Sequence, residues 1–193
     1  MESQLRIYFG SSLANLYAVG YLSSDIHKLI ALSEALGKEE DAPNGREVAN
    51  WFNYTNRYTR TLERHAHNSK ITRARNGSLE LLLGGMGVAT SIIVPIAIAR
   101  AQAKLQKQAN LRKEDQKVQF EVSPTDKVLK RHIERYARGE YGVGVEGLNN
   151  LLTTLSGLRY DVSAISDNTY QISRAIDVCA RRIVKIVRYV ASS

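Results

Sequence analysis

One uncharged stretch constrains this 193-residue chain more than any other feature. Residues 81–99, LLLGGMGVATSIIVPIAIA, contain no Asp, Glu, Lys or Arg, although 24% of the whole chain is charged. A run of this length approaches the roughly 20 apolar residues that a membrane-crossing helix needs. The segment therefore either enters a bilayer or forms a buried helix in the core of the protein.

Small residues inside this stretch share one side of the predicted helix. Gly84, Gly87, Ser91 and Pro95 are spaced three, four and four residues apart, which places them on one helical face. The apolar residues favour insertion by about 3 to 5 kcal/mol, but the glycines, hydroxyl residues and proline of the stretch oppose it, so a lone helix is marginal in lipid. Small faces let helices approach closely inside a bilayer, which predicts a homo-oligomer that assembles through this face.

The rest of the chain predicts a mainly α fold with short strands (α+β), built around this central long apolar helix. The helix is a candidate single membrane-spanning helix or a core helix. The division into parts follows the pattern of apolar residues and loops. Residues 1–76 form an N-terminal strand plus helices, 77–116 the central apolar helix with a charged extension, and 117–193 a C-terminal α+β part that ends in a basic amphipathic helix.

The net charge of +8 favours an anionic partner, either lipid headgroups or, as an alternative, nucleic acid. Near the last helix, only Tyr170 and Tyr189 could interleave with the basic residues, which is little for base stacking. The predicted contacts to an anionic partner are basic side chains on both sides of the apolar stretch and on the last helix: Arg73, Arg75, Arg100, Lys104, Arg181, Arg182 and Lys185.

A short motif carries the one catalytic alternative. Arg60 and His65 form R-x-x-x-x-H on a predicted helix. This resembles the motif of HEPN ribonucleases, helical proteins that pair two such motifs across a dimer to cut RNA. The resemblance implies that His65 acts in acid–base chemistry and that Arg60 holds phosphate. The structural alternative is a solvated basic helix face.

Other catalytic and metal-binding patterns are missing from the sequence. It contains no P-loop and no G-x-S-x-G. Because Cys179 is the only cysteine, the chain cannot form an intramolecular disulfide. We predict that Cys179 is a small buried apolar residue. We therefore predict no metal, no cofactor and, in the leading interpretation, no enzymatic activity.

The leading functional prediction is a small, non-enzymatic, membrane-associated protein that oligomerises and could perturb a bilayer. In architecture it looks like prokaryotic membrane effectors of antiviral defence. We expect an intracellular, membrane-associated location, with a cytoplasmic soluble protein as the alternative. Two other functions stay open, namely an RNA-binding protein or HEPN-type ribonuclease that uses Arg60 and His65, and a soluble helical scaffold subunit.

Overall fold

A computed structural model of the chain describes residues 3–9, 16–37, 47–53, 62–63, 73–75, 78–86, 88–107, 119–122 and 126–191. Every secondary-structure element whose side chains are described is a helix. The helices are α1 (Leu16–Gly37), α2 (Val48–Asn53), α3 (Val88–Gln106), α4 (Lys127–Ala137), α5 (Gly144–Gly157), α6 (Ser163–Ser166) and α7 (Thr169–Ala191). The backbone also forms strands β1 (Ser3–Phe9), β2 (Arg73–Arg75), β3 (Ser78–Met86) and β4 (Gln119–Val122).

The four strands form one antiparallel sheet in the order β2-β3-β1-β4. Ile7 of β1 pairs with Leu81 of β3 on one side and with Phe120 of β4 on the other. The long connections between β1, β3 and β4 are occupied by helices, so the sheet joins segments that are distant in sequence.

The predicted fold class is wrong, because the apolar stretch 81–99 is not one helix. Its first part belongs to β3 and its second part to α3. Three glycines, at 84, 85 and 87, explain the division, since each costs a helix about 1 kcal/mol relative to alanine. Within the described ranges, no helix combines the length and the apolar composition that a membrane span requires.

The described side chains belong to a helical bundle with α3 in its middle. Helix α3 packs against α1, α4 and α7. Its residues from Thr90 to Ala99 are all buried, including Pro95 in the helix interior. Helices from all three predicted parts of the chain contribute to a single hydrophobic core. The three-part division itself stays a prediction.

Polar contacts join α1 to its neighbours within this core. The Ser33 and Thr90 hydroxyls lie 3.0 Å apart and link α1 to α3. Trp51 Nε1 donates to the Lys28 carbonyl oxygen at 2.8 Å, and Lys28 Nζ donates to the Phe52 carbonyl oxygen at 2.9 Å. Because buried polar groups are costly without partners, these bonds fix the position of α2 on α1.

Candidate functional site

The last helix carries a buried apolar stripe and an exposed basic face. Ile172, Ile176, Cys179 and Ile183 are buried at helical spacing against the bundle. The opposite side is occupied by cations seven, four and three residues apart, which places them on one face. We call these four exposed residues of α7 the basic face: Arg174, Arg181, Lys185 and Arg188. At about 1.5 Å per residue, the basic face extends for about 21 Å along α7, from Arg174 to Arg188.

Helix α3 adds two cations along one edge of the basic face. Arg100 Nε lies 2.9 Å from Asp177 Oδ1, an ion pair that does not meet hydrogen-bond geometry. Arg100 Nη1 also donates to the Tyr136 hydroxyl at 2.9 Å. Loss of hydration lowers the pKa of Lys104; Asp177 opposes this shift, while Arg100 and Arg181 add to it. This edge therefore concentrates positive charge around a single carboxylate.

Three tyrosines flank the other edge of the basic face. Tyr17 and Tyr21 of α1 have ring centroids 5.0 Å apart, and Tyr17 and Tyr189 of α7 have centroids 5.6 Å apart. These rings are 55%, 43% and 58% exposed in the order Tyr17, Tyr21 and Tyr189, which is unusual for three large aromatic side chains in contact. We call them the tyrosine cluster.

A small cavity lies between the tyrosine cluster and α7. Its volume is about 160 Å³. We call it the tyrosine pocket, and its lining combines aromatic, aliphatic and cationic side chains: Tyr17, Tyr21, Arg182, Lys185, Ile186 and Tyr189. Loss of hydration raises the pKa of Tyr17, with further contributions from Tyr21 and Tyr189. The Tyr17 hydroxyl is therefore uncharged at neutral pH and does not repel an anion.

Arg182 holds the wall of the tyrosine pocket in place. Its Nε donates to Asp25 Oδ2 at 2.7 Å and its Nη1 donates to Asn53 Oδ1 at 2.9 Å. The guanidinium carbon lies 5.7 Å from the centroid of the Tyr21 ring, within the range of a cation–π interaction. One side chain thus connects α7 to both α1 and α2.

Asp25 is a buried carboxylate beneath this arginine. Burial raises the pKa of Asp25, and the hydrogen bond and charge of Arg182 oppose that rise, followed by the charge of Lys28. Asp25 Oδ1 has no hydrogen-bond partner within the described part of the chain. A buried carboxylate with one oxygen unsatisfied depends strongly on its cationic partner.

Cys179 lies in the core on the buried side of α7, so we predict that it is protected from thiol reagents. Its side chain is fully buried, and burial raises the pKa of the thiol, which disfavours the reactive thiolate. In native buffer, labelling with an aromatic disulfide should be at least about a thousandfold slower than in denaturant, because it requires unfolding. Rapid labelling without denaturant would contradict the packing of α7.

The structure brings together five of the residues predicted to contact an anionic partner. Arg100, Lys104 and Arg181 lie around Asp177, and Arg182 and Lys185 line the tyrosine pocket. Arg73 and Arg75 belong to β2, where only the backbone is described. Their roles toward a partner stay predictions.

The structure divides the predicted oligomer face between two elements and does not describe the predicted catalytic pair. Gly84 lies in β3, whereas Ser91 and Pro95 are buried in α3, so they do not form one helical face. Gly87, Arg60 and His65 lie outside the described residues.

The sequence interpretation missed the tyrosine cluster. Along the last helix, Tyr189 is the only tyrosine at this end, and the sequence does not show that α1 is its neighbour. The available signal was Tyr17 and Tyr21, four residues apart and thus on one face of α1. The packing of α1 on α7 then adds Tyr189 to this pair.

A second cavity, of about 490 Å³, opens near α5 and α6. Its polar lining includes Asn149, Thr153, Ser156 and Asp161, and the Asp161 carboxylate already accepts a 2.7 Å bond from the Ser163 hydroxyl. In the portion of the chain that the structure describes, no group of three or more His, Cys, Asp or Glu side chains could hold a metal ion.

Comparison with protein-family models, with curated proteins and with solved structures finds no match for this chain. The HEPN resemblance thus has no support beyond the six residues that suggested it.

Proposed function

We propose that the chain binds single-stranded nucleic acid across the basic face of α7. The observation that supports this function is the exposed tyrosine cluster at the edge of a row of cations. Single-strand binding proteins combine a positive surface that follows the phosphates with aromatic rings on which bases stack. Here Lys185 lines the tyrosine pocket together with Tyr17 and Tyr189, which supply the rings, and Arg181 continues the row of cations along α7.

An anionic lipid surface fits the same charges less well. A helix that lies in a membrane interface inserts an open apolar face among the acyl chains. The apolar side of α7, which includes Ile172, Ile176 and Ile183, is buried against the bundle. What α7 exposes is arginine, lysine and tyrosine, so attraction to lipid would rest on charge alone.

The first test is the salt dependence of binding. A fluorescent single-stranded oligonucleotide of about 12 nucleotides matches the usual site size, and its anisotropy reports binding. If the four cations of the basic face each neutralise one phosphate, the slope of log affinity against log salt should be about −3. The double variant Arg181→Ala/Lys185→Ala should reduce the slope to about −1.5 and weaken binding roughly tenfold at about 50 mM salt.

The matched control removes the same charge from another helix. Lys127 and Lys130 lie on α4, which does not contribute to the basic face. Lys127→Ala/Lys130→Ala should leave the slope of log affinity against log salt near −3, within about 0.5, because these two lysines are not expected to contact phosphates. Equal losses in both double variants would show that net charge alone matters and would overturn the proposal. So would binding to vesicles containing phosphatidylserine that is stronger than binding to the oligonucleotide.

A further inference from the structure

The tyrosine pocket has the size of one six-membered ring. An apolar protein cavity of about 150 Å³ binds a single benzene molecule, and this pocket has a volume of about 160 Å³. Tyr17 lines the pocket and contacts both other tyrosines, with its ring tilted by 43° to Tyr21 and by 52° to Tyr189. The Tyr17 ring is therefore not stacked in parallel on either of the other two rings.

Both cations of the pocket, Arg182 and Lys185, belong to α7. Arg182 is part of the lining, and its Nε and Nη1 are already engaged by Asp25 and Asn53. These bonds hold the guanidinium in a fixed orientation at the pocket wall and leave Nη2 as its remaining terminal donor nitrogen. Lys185 adds an ammonium group that belongs to both the pocket and the basic face.

This combination matches the chemistry of a pyrimidine nucleotide. A pyrimidine base is one six-membered ring with a carbonyl oxygen at position 2, whereas a purine has two fused rings and adenine has no carbonyl group. The ring suits the volume between the tyrosines, the carbonyl oxygen suits an arginine donor, and the attached phosphate suits Lys185. Proteins that recognise single strands hold unstacked bases in this way.

We infer that the tyrosine pocket takes one pyrimidine base of the bound strand, with Arg182 donating to its position-2 carbonyl and Lys185 contacting the adjacent phosphate. This inference rests on the proposed function, because it assigns a base preference to the site that binds the strand. The pocket then gives the chain a preference for pyrimidine over purine at one position, while the remaining contacts are to the backbone and are indifferent to sequence.

The test places a single base in a strand without other bases. Oligonucleotides of about 12 nucleotides are made with abasic residues at every position, or with one thymine or one adenine near the middle. All three have the same backbone charge, so anisotropy titrations at one salt concentration isolate the contribution of the base. The thymine strand should bind roughly 5- to 150-fold more tightly than the fully abasic strand, which is the range for one stacked base, and the adenine strand should gain less.

Variants then assign the gain to the pocket. Tyr17→Ala and Tyr189→Ala should each remove most of the thymine advantage, whereas Tyr17→Phe should keep most of it, because the ring remains. Tyr170→Ala is the matched control, since Tyr170 is 50% exposed on α7 but is not among the pocket residues. It should leave the advantage unchanged. Circular dichroism of each variant establishes that the helices are intact.

Two results would overturn the inference. Equal affinities for the thymine, adenine and abasic strands would show that no base enters the pocket. A thymine advantage that survives both alanine substitutions would place the base elsewhere. In either case the salt-dependent binding of the abasic strand still tests the proposed function separately, because that strand carries phosphates and no bases.

Discussion

Replacing Arg182 with methionine should lower the free energy of unfolding by about 3 kcal/mol. Removing one partner of a buried ion pair costs about 3 to 5 kcal/mol, because the other charge is left without compensation. We expect a cost at the lower end of this range because the side chain of Arg182 is 24% exposed, whereas that of its partner Asp25 is 1% exposed. Methionine retains much of the apolar stem of arginine, so the loss reports mainly on the charge. Urea unfolding followed by the fluorescence of Trp51, the only tryptophan, measures it.

The pH dependence of this loss identifies Asp25 as its source. Burial raises the pKa of Asp25, and Arg182 is the first group that opposes the rise, so the variant should raise it further. An acid whose pKa is higher in the folded state binds more protons there than in the unfolded chain. The raised pKa of Asp25 therefore stabilises the folded state fully below pH 3.8, the ordinary pKa of the group. This stabilisation is lost as the pH rises through the pKa of Asp25 in the folded state. The deficit of Arg182→Met should be smaller near about pH 4 than near about pH 7.

A second substitution provides the control for this pair. Asp25→Asn in the Arg182→Met background removes the stranded charge and should restore more than half of the lost stability, with little dependence on pH. Asn53→Ala removes only the exposed partner of Arg182 and should cost less than about 1 kcal/mol. If Arg182→Met and Asn53→Ala cost the same, the buried ion pair is not the group that holds α7 against α1.

The helices were more predictable from the sequence than the elements that contain the apolar stretch. The last helix shows a regular stripe from Ile172 to Val187, and its basic residues occupy the opposite side, so its exposed face followed from helical spacing alone. The described helices support the prediction that the protein is mainly helical. In the apolar stretch the pattern was uninformative, because nearly every residue from Leu81 to Ala99 is apolar or small. A continuous apolar run is compatible with a strand, a buried helix or a membrane helix.

The tertiary contacts of the site could not be read from the sequence. Asp25 and Arg182 form a hydrogen bond although they are 157 positions apart in the sequence, and neither residue is unusual in its local sequence. The tyrosine cluster likewise needs α1 and α7 to be neighbours. The net charge of +8 does not depend on the fold, so the expectation of an anionic partner comes from the sequence alone and stays a prediction.

Replacing Ile96 with alanine should lower the free energy of unfolding by about 2 to 5 kcal/mol. Ile96 is fully buried in α3, which packs against helices on several sides. The loss combines the lost transfer of the side chain from water with the cavity that remains, and a central helix between several neighbours cannot move to close that cavity on all sides. Urea unfolding in plain buffer, again followed by Trp51 fluorescence, gives the free energy.

The control for Ile96 lies on the same helix. Gln106 is exposed near the end of α3, so Gln106→Ala should change the free energy of unfolding by no more than about 0.5 kcal/mol. The difference between the two variants isolates burial from helix propensity, because both introduce alanine into α3. A cost below about 1 kcal/mol for Ile96→Ala would mean that α3 does not lie inside a packed bundle. The basic face would then lack its support, since α7 packs against α3.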